Sequence, residues 1–219
     1  MITSRIFLLG CSVLTLTACA IGRPIAQPTT YIIEPPSNAT TPSELRQPGA
    51  LRVGTVRVAP PYSSVALVYR LDDVRYATDP YHGFVTDPSS MLAGRITDWL
   101  DEEGVFGVIG QSDSTRSAPY VLEATVTELY GDFRSNRPPA AVMAAQFELI
   151  DETGARPIGI YECTIVRRIA LRKASPDDLV RGYGTALAEM LSEVTPELSA
   201  RLNDIQPRLN IERRSGIAE

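Results

Sequence analysis

The chain has 219 residues, a formal net charge of −5 and 44% hydrophobic residues. This length suits one ordinary domain with additional segments, and it is sufficient to bury a hydrophobic core. The excess of acidic residues argues against a nucleic-acid-binding protein, which needs a basic face. His82 is the only histidine, so a multi-histidine metal site is excluded.

The first residues have the organisation of an export signal. Arg5 provides the positive charge, and an apolar run extends from Ile6 to Thr17. The run is too short to cross a bilayer as a helix, which needs about 20 residues. It ends in Leu16-Thr17-Ala18-Cys19, which resembles the lipobox of bacterial lipoproteins.

This motif predicts that residues 1–18 form a signal peptide and that Cys19 becomes the lipid-modified N-terminus. Two or three acyl chains such as palmitate would hold the protein in a membrane, since one chain gives only marginal binding. The alternative is an ordinary secretory signal that is cleaved near Ala18 or Ala20. In enteric bacteria an Asp after the cysteine retains a lipoprotein in the inner membrane. Because residue 20 is Ala, the resemblance implies the periplasm-facing outer membrane.

Residues 19–50 are rich in Pro, Thr, Ser and Asn. This composition disfavours a packed core and predicts a semi-extended tether of about 3 Å per residue. Residues 31–33 (Tyr-Ile-Ile) interrupt the tether and are a candidate edge strand. We expect the folded domain to cover residues 51–203 and a flexible tail to cover residues 204–219.

Short strands and then a helix are predicted in the first part of the domain. Runs of β-branched and aromatic residues predict strands at 51–58, 65–69 and 74–77. Asp87 and Pro88 are suited to the N-cap and the first position of a helix, and Gly104 is suited to its end.

Longer strands and a second helix are predicted in the remainder. A short strand at 105–109 is followed by three alternating segments near residues 120–127, 141–149 and 158–169, which predict an antiparallel meander. A helix then begins at Ser175-Pro176, and Pro196 should kink or end it. Leu198 and Leu202 suggest a further helical turn or two after the proline. The predicted fold is α+β, with two main helices packed on a mostly antiparallel sheet.

The sequence offers little catalytic chemistry. His82 lies in the turn-like segment 79–84, where an exposed turn residue is expected. Gly182-Tyr183-Gly184 falls inside the second predicted helix and has the wrong context for a nucleotide site, and Asp72-Asp73 is expected on a solvated face. We therefore predict a non-enzymatic binding or assembly protein without a metal or cofactor.

Four aromatic residues were weighed as ligand or partner contacts. Tyr81 and Phe84 are the predicted partner-contact residues, because they lie in a predicted loop just before a helix. Trp99 and Tyr183 fall on apolar helical stripes and are predicted to be core residues.

An ordered set of short motifs resembles the ABC-type transport auxiliary lipoproteins, the family of paraquat-inducible protein C. The motifs are Tyr31-Ile32-Ile33, Val53 to Pro60, Val68-Tyr69-Arg70, Phe84 to Leu92, Gly104-Val105-Phe106 and Tyr120 to Phe133. They lie within a stretch from about Tyr31 to Leu202. Phe84 stands where the family more often has Trp.

The resemblance implies an auxiliary partner of MCE-type lipid transporters, which combine an MCE-domain protein with an ABC permease and ATPase. It implies no enzymatic activity, no cofactor and no catalytic residues. Relatives can assemble into rings, which implies that a homo-oligomer is compatible with the family. Two alternatives remain open: a periplasmic lipid-binding carrier with a cavity lined by Met143, Phe147 and Met190, or a structural lipoprotein of another envelope assembly machine.

Overall fold

The computed structural model describes residues 27–36, 50–104, 107–109 and 118–215. Its elements in chain order are β1 (Thr29–Tyr31), β2 (Ala50–Val58), a short 3-10 turn (Pro60–Tyr62), β3 (Ala66–Arg70), β4 (Tyr76–Phe84), α1 (Pro88–Glu102), β5 (Gly107–Ile109), β6 (Tyr120–Asp132), β7 (Ala140–Asp151), β8 (Ile158–Ala170) and α2 (Pro176–Ser215). They form an α+β fold with eight strands in one sheet and two helices packed on it. The predicted signal peptide and Cys19 lie outside the described residues.

The three longest strands, β6, β7 and β8, form an antiparallel meander, which confirms the prediction. β7 pairs with β6 from Tyr120↔Asp151 to Asp132↔Ala140, and β8 pairs with β7 over a similar length. The alternation of side chains directs one face of β7 towards α2 and the other face away from it. The long pairings of the sheet are therefore antiparallel, as the sequence predicted.

The parallel pairs of the sheet arise at the opposite edge of β6. β2 runs parallel to the first half of β6, and β3 runs parallel to its last residues. The 3-10 turn joins β2 to β3, and the Ala59 N–H donates to the Val126 carbonyl at 2.8 Å beside it. β2 and β3 therefore follow one another along the same edge. β4 adds antiparallel to β3, whereas β1 and β5 add parallel to β4 and β2.

Helix α1 begins and ends where the sequence predicts. The Asp87 carboxylate accepts hydrogen bonds from the N–H groups of Ser89 at 3.0 Å and Ser90 at 3.1 Å. Pro88 occupies the first position, and Gly104 adopts a φ of 63° just after the helix. A capping side chain of this kind contributes about 1 kcal/mol to helix stability. α1 contacts β2, and its buried face includes Leu92, Ile96 and Leu100 in addition to Trp99.

Helix α2 continues past Pro196, where the sequence predicted a kink or an end. Val194, Leu198 and Leu202 are buried on both sides of the proline. A proline inside a helix costs about 3 kcal/mol, whereas burial of each leucine contributes about 1.5–3 kcal/mol. The free energy gained by burying the apolar stripe therefore outweighs the cost of the proline. The helix also includes residues 204–215 of the predicted tail, and residues 216–219 lie outside the described residues.

Residues 27–36, which we call the N-terminal segment, belong to the folded body, although most of them fall in the predicted tether. Within the segment, β1 (29–31) is an edge strand, close to the candidate edge strand at residues 31–33. Ile33 is fully buried, and its N–H lies 3.4 Å from the Met91 sulfur of α1. Glu34 forms an ion pair with Arg95 at 2.7 Å. The apolar side chains at 31 and 33 gain burial by packing, which an extended tether would not provide. Only the part of the tether before Gln27 precedes the described body.

Candidate functional site

The turn predicted at residues 79–84 is a bulge inside β4. Val68 pairs with Thr78 and Ala66 pairs with Gly83, so a single residue of β3 faces four residues of β4. The Asp79 Oδ1 atom accepts hydrogen bonds from the N–H groups of two of these four residues, at 2.8 and 3.0 Å. The turn-forming chemistry of Asp is therefore present, but the prediction that the segment is a loop is wrong, because pairing with β3 resumes at Gly83.

A polar cluster forms around the carboxylate of Asp79. Its Oδ2 atom accepts from the Tyr69 hydroxyl at 2.6 Å and lies 2.8 Å from His82 Nδ1. The Tyr31 ring lies 6.2 Å from the His82 ring. His82 is thus partly buried and hydrogen-bonded rather than an exposed turn residue.

The electrostatics of this cluster favour a structural role. Burial by itself raises the pKa of Asp79, but the hydrogen bonds from Tyr69, the Tyr81 N–H and His82 outweigh it and hold the pKa below its ordinary value. Burial and the hydrogen bond to Asp79 raise the pKa of Tyr69. At neutral pH the carboxylate is therefore charged and the phenol is a neutral donor. Every contact of Asp79 described here is made within the bulge or to β3, which fixes the shape of the bulge.

The structure separates the two predicted partner-contact residues. Phe84 is only 4% exposed, and its ring lies 6.3 Å from that of Tyr183 in α2. The prediction of a surface contact at Phe84 is therefore wrong, because strand alternation directs this ring into the core. Tyr81 is 51% exposed, so a contact at Tyr81 stays a prediction. The core prediction for Trp99 and Tyr183 is confirmed by their burial.

The residues named for a lipid-carrier cavity are packed core residues. Met143, Phe147 and Met190 are all buried in the large hydrophobic cluster that joins the sheet to both helices. Side chains in such a cluster fill the space between elements at crystal-like density. These three positions therefore give no support to an internal lipid site.

A groove lined by aromatic side chains lies on the face of the sheet that the helices leave open. Tyr130 stacks on Tyr62 with ring centroids 5.9 Å apart, and Tyr76 meets Tyr130 edge-on at 5.6 Å. Val68 and Val142 form the small apolar cluster beneath these rings. We call this surface, which has a volume of ≈ 410 Å³, the aromatic groove. The sequence does not reveal it, because its residues come from four separate strands and the 3-10 turn.

The groove combines apolar surface with polar tips. Burial, together with nearby Tyr76, raises the pKa of Tyr62 to about 12, so its hydroxyl stays neutral and can donate a hydrogen bond. The Arg70 guanidinium lies 5.7 Å from the centroid of the Tyr76 ring. Tyrosine and arginine are the side chains that are enriched at the centres of protein interfaces. The surface is thus suited to binding.

A buried ion-pair network lies at the C-terminal end of β6, near the aromatic groove. Asp132 is fully buried, and Arg134 binds both of its carboxylate oxygens at 2.8 and 2.7 Å. Arg168 on β8 adds a third contact at 2.6 Å, and Arg134 also reaches the exposed Asp73 at 2.7 Å. Asp73 is solvated as predicted from the sequence. The network connects β6 to β8 across β7 and holds the strands that carry the aromatic groove.

The part of the chain that the structure describes contains neither a metal-binding cluster nor a membrane-spanning helix. Within residues 27–36, 50–104, 107–109 and 118–215, no group of three His, Cys, Asp or Glu side chains could hold a metal ion. No helix in this part has both the length and the apolar character needed to cross a membrane.

Comparison with known families and structures identifies relatives. Residues 31–195 match the model of a family described as the ABC-type transport auxiliary lipoprotein component. A comparison with curated proteins gives no significant match. The family match extends from β1 to the middle of α2 and therefore covers nearly every element described above.

Three solved structures share the fold. Protein XCC0632 from Xanthomonas campestris, of family DUF330, is 15% identical with a TM-score of 0.66, covering 83% of this chain and 98% of that chain. A second structure, of an uncharacterized protein, is 17% identical with a TM-score of 0.61, covering 78% and 99%. The hypothetical protein CT253 from Chlamydia trachomatis is 11% identical with a TM-score of 0.52, covering 70% and 96%. At these identities the likeness shows the fold alone.

Proposed function

We propose a function from the premise that the chain belongs to the family of ABC-type transport auxiliary lipoprotein components. The protein acts as a non-enzymatic docking component of an MCE-type ABC system that moves lipids between the inner and outer membranes. It is anchored through Cys19 in the outer membrane and faces the periplasm. The observation that carries the proposal is the family match over residues 31–195.

The aromatic groove is the surface that we assign to the transporter. Tyr76 is 45% exposed at the groove, next to the more buried Tyr62 and Tyr130. A partly exposed aromatic ring beside an apolar floor and an arginine is the arrangement that typically dominates the binding energy of an interface. The occupant is an apolar segment of the periplasmic MCE-domain protein, since five of the six residues that line the groove are aromatic or apolar: Pro61, Tyr62, Val68, Tyr76 and Ala77.

Replacing Tyr76 tests this assignment. We expect Tyr76→Ser to lower the recovery of the transporter by roughly 30-fold in a mild-detergent pull-down of the full-length protein, since an interface tyrosine of this kind contributes about 2 kcal/mol. Val74→Ser is the matched control, because Val74 is 85% exposed two residues away and lies outside the groove lining. Mass spectrometry of the recovered proteins measures both.

The outcomes separate the docking surface from the function. If the wild-type protein and both variants recover the MCE-domain protein and the permease equally, the docking surface lies elsewhere and the transport role stands. Recovery of the wild-type protein alone with stoichiometric lipid would contradict the docking role and favour a carrier.

Replacing Cys19 tests the anchor. We expect Cys19→Ser to remain folded but to leave the membrane fraction, since the acyl chains are the main source of membrane affinity. The variant should also fail to support the lipid balance of the envelope. Fractionation and envelope lipid analysis measure the two effects, and retained membrane attachment of the variant would refute lipidation at Cys19.

A further inference from the structure

The position where the chain joins the folded body limits how far the body can move from its anchor. Seven residues (20–26) separate Cys19 from Gln27, the first described residue. Fully extended, this stretch spans at most about 28 Å. Part of that length is needed to cross the headgroup region, which is roughly 6 Å thick in each leaflet. Gln27 is therefore held within about 20 Å of the membrane surface when Cys19 is acylated.

This limit is comparable to the size of the body itself. A domain of about 180 residues has a radius of gyration of roughly 16 Å. A body of that size cannot turn its β1 end away from the membrane on a tether of about 20 Å. The residues around Gln27 and the start of β1 are therefore kept near the lipid surface.

Three exposed apolar side chains lie at that end of the body. Thr29 of β1 pairs with His82, the neighbour of Tyr81. Two residues further along, the Val85 N–H donates to the Tyr31 carbonyl at 3.0 Å, which places Ile32 beside Val85. Ile32, Tyr81 and Val85 are 45%, 51% and 56% exposed. We call these three residues the β1–β4 edge patch.

The chemistry of the patch suits a lipid surface. Tyrosine is enriched where a membrane meets water, because its ring is apolar and its hydroxyl remains hydrated. Ile32 and Val85 present branched aliphatic side chains on the face opposite the buried Phe84.

We infer that the β1–β4 edge patch rests on the membrane that carries the lipid anchor, with Tyr81 at the level of the headgroups. The inference rests on the proposed acylation of Cys19, which delivers the patch to the surface. Contact at the patch fixes the orientation of the body.

A fluorescent label at position 85 tests the contact. The full-length acylated protein, in a Cys163→Ser background that removes the free thiol, is labelled at Val85→Cys with an environment-sensitive dye. It is reconstituted in vesicles of phosphatidylethanolamine with a minor share of phosphatidylglycerol. Spin-labelled lipid should quench the dye at 85 several-fold more strongly than a dye at Val74→Cys, because Val74 is exposed beyond the opposite end of β4.

Vesicle flotation in the same samples distinguishes the possible failures. Flotation with no quenching at 85, or with equal quenching at both positions, would overturn the membrane contact while the anchor stands. Absence of flotation would overturn the anchor and the contact together. Because the patch is uncharged, the quenching should persist at high salt. Its loss at high salt would show an electrostatic association and contradict the apolar contact.

Discussion

Asp132→Asn should lower the free energy of unfolding by about 3 kcal/mol, since removing one partner of a buried ion pair leaves the other charge uncompensated. Asp132 is fully buried and receives both Arg134 and Arg168. The expected loss is at the low end of the range for buried pairs, because Arg168 is partly exposed and Arg134 keeps its contact with Asp73. Urea denaturation of the two proteins at neutral pH measures the difference.

Asp73→Asn is the matched control for this effect. It neutralises a carboxylate that lies 2.7 Å from the Arg134 guanidinium, the same group that binds Asp132, but the Asp73 side chain is 80% exposed. Exposed ion pairs contribute less than about 1 kcal/mol and often nothing measurable. We therefore expect a change below about 0.5 kcal/mol. Equal losses in the two variants would mean that Asp132 acts through its charge alone and that its burial is irrelevant.

The effect of Asp132→Asn should depend on pH in a defined direction. The hydrogen bonds from Arg134 hold the pKa of Asp132 far below its ordinary value, and the bond from Arg168 lowers this pKa further. Desolvation by burial raises the pKa, but its effect is smaller. A carboxylate with a depressed folded-state pKa contributes stability that is complete above its unfolded pKa, about 4, and that declines as the pH falls below it. The difference between wild type and Asp132→Asn should be constant from neutral pH to about 5 and should shrink below 4. A difference that grew in acid would contradict the ion-pair explanation.

The local signals of the sequence predicted the regular elements well. Capping by Asp87 and Pro88 and the alternation along β6 to β8 each depend on neighbouring residues, and the structure has both features. Pro196 shows the limit of such signals. Its helix-breaking tendency is local, whereas the burial of Leu198 and Leu202 that outweighs it depends on the sheet.

The functional surfaces could not be predicted in the same way. Tyr62, Tyr76 and Tyr130 are distant in sequence and meet only because β2 and β3 share an edge of β6. Phe84 was assigned to a loop because Asp79-Pro80 is a turn signal, and that signal produced a bulge within a strand. Pairing partners outside the segment decide between these outcomes, and the sequence of the segment does not contain them.

The N-terminal segment was assigned to the tether for a related reason. Its composition is that of an extended linker, yet Ile33 occupies a slot between the two helices. The slot exists because α2 carries a glycine where the segment crosses it. A Cβ at Gly184 would lie 2.2 Å from the Glu34 carbonyl oxygen and 3.0 Å from its carbon. These are backbone atoms, which cannot rotate away as a side chain can.

Gly184→Ala should therefore displace the N-terminal segment from α2. Alanine gains about 1 kcal/mol over glycine in helix propensity, but displacement of the segment removes Ile33 from the core, which costs about 1.5–3 kcal/mol. We expect a net loss of about 0.5–2 kcal/mol from these two terms. Thermal or urea unfolding measures it, and limited proteolysis should show faster cleavage within residues 27–36.

Gly94→Ala provides the opposite result from the same chemical change. Gly94 lies in α1, and a Cβ there would meet nothing within 4 Å. The helix-propensity term then acts alone, so this variant should be stabilised by about 0.5–1 kcal/mol. Stabilisation of both variants would mean that the N-terminal segment is not packed against α2. In that case the anchor could hold the body farther from the membrane, and the contact at the β1–β4 edge patch would lose its geometric basis.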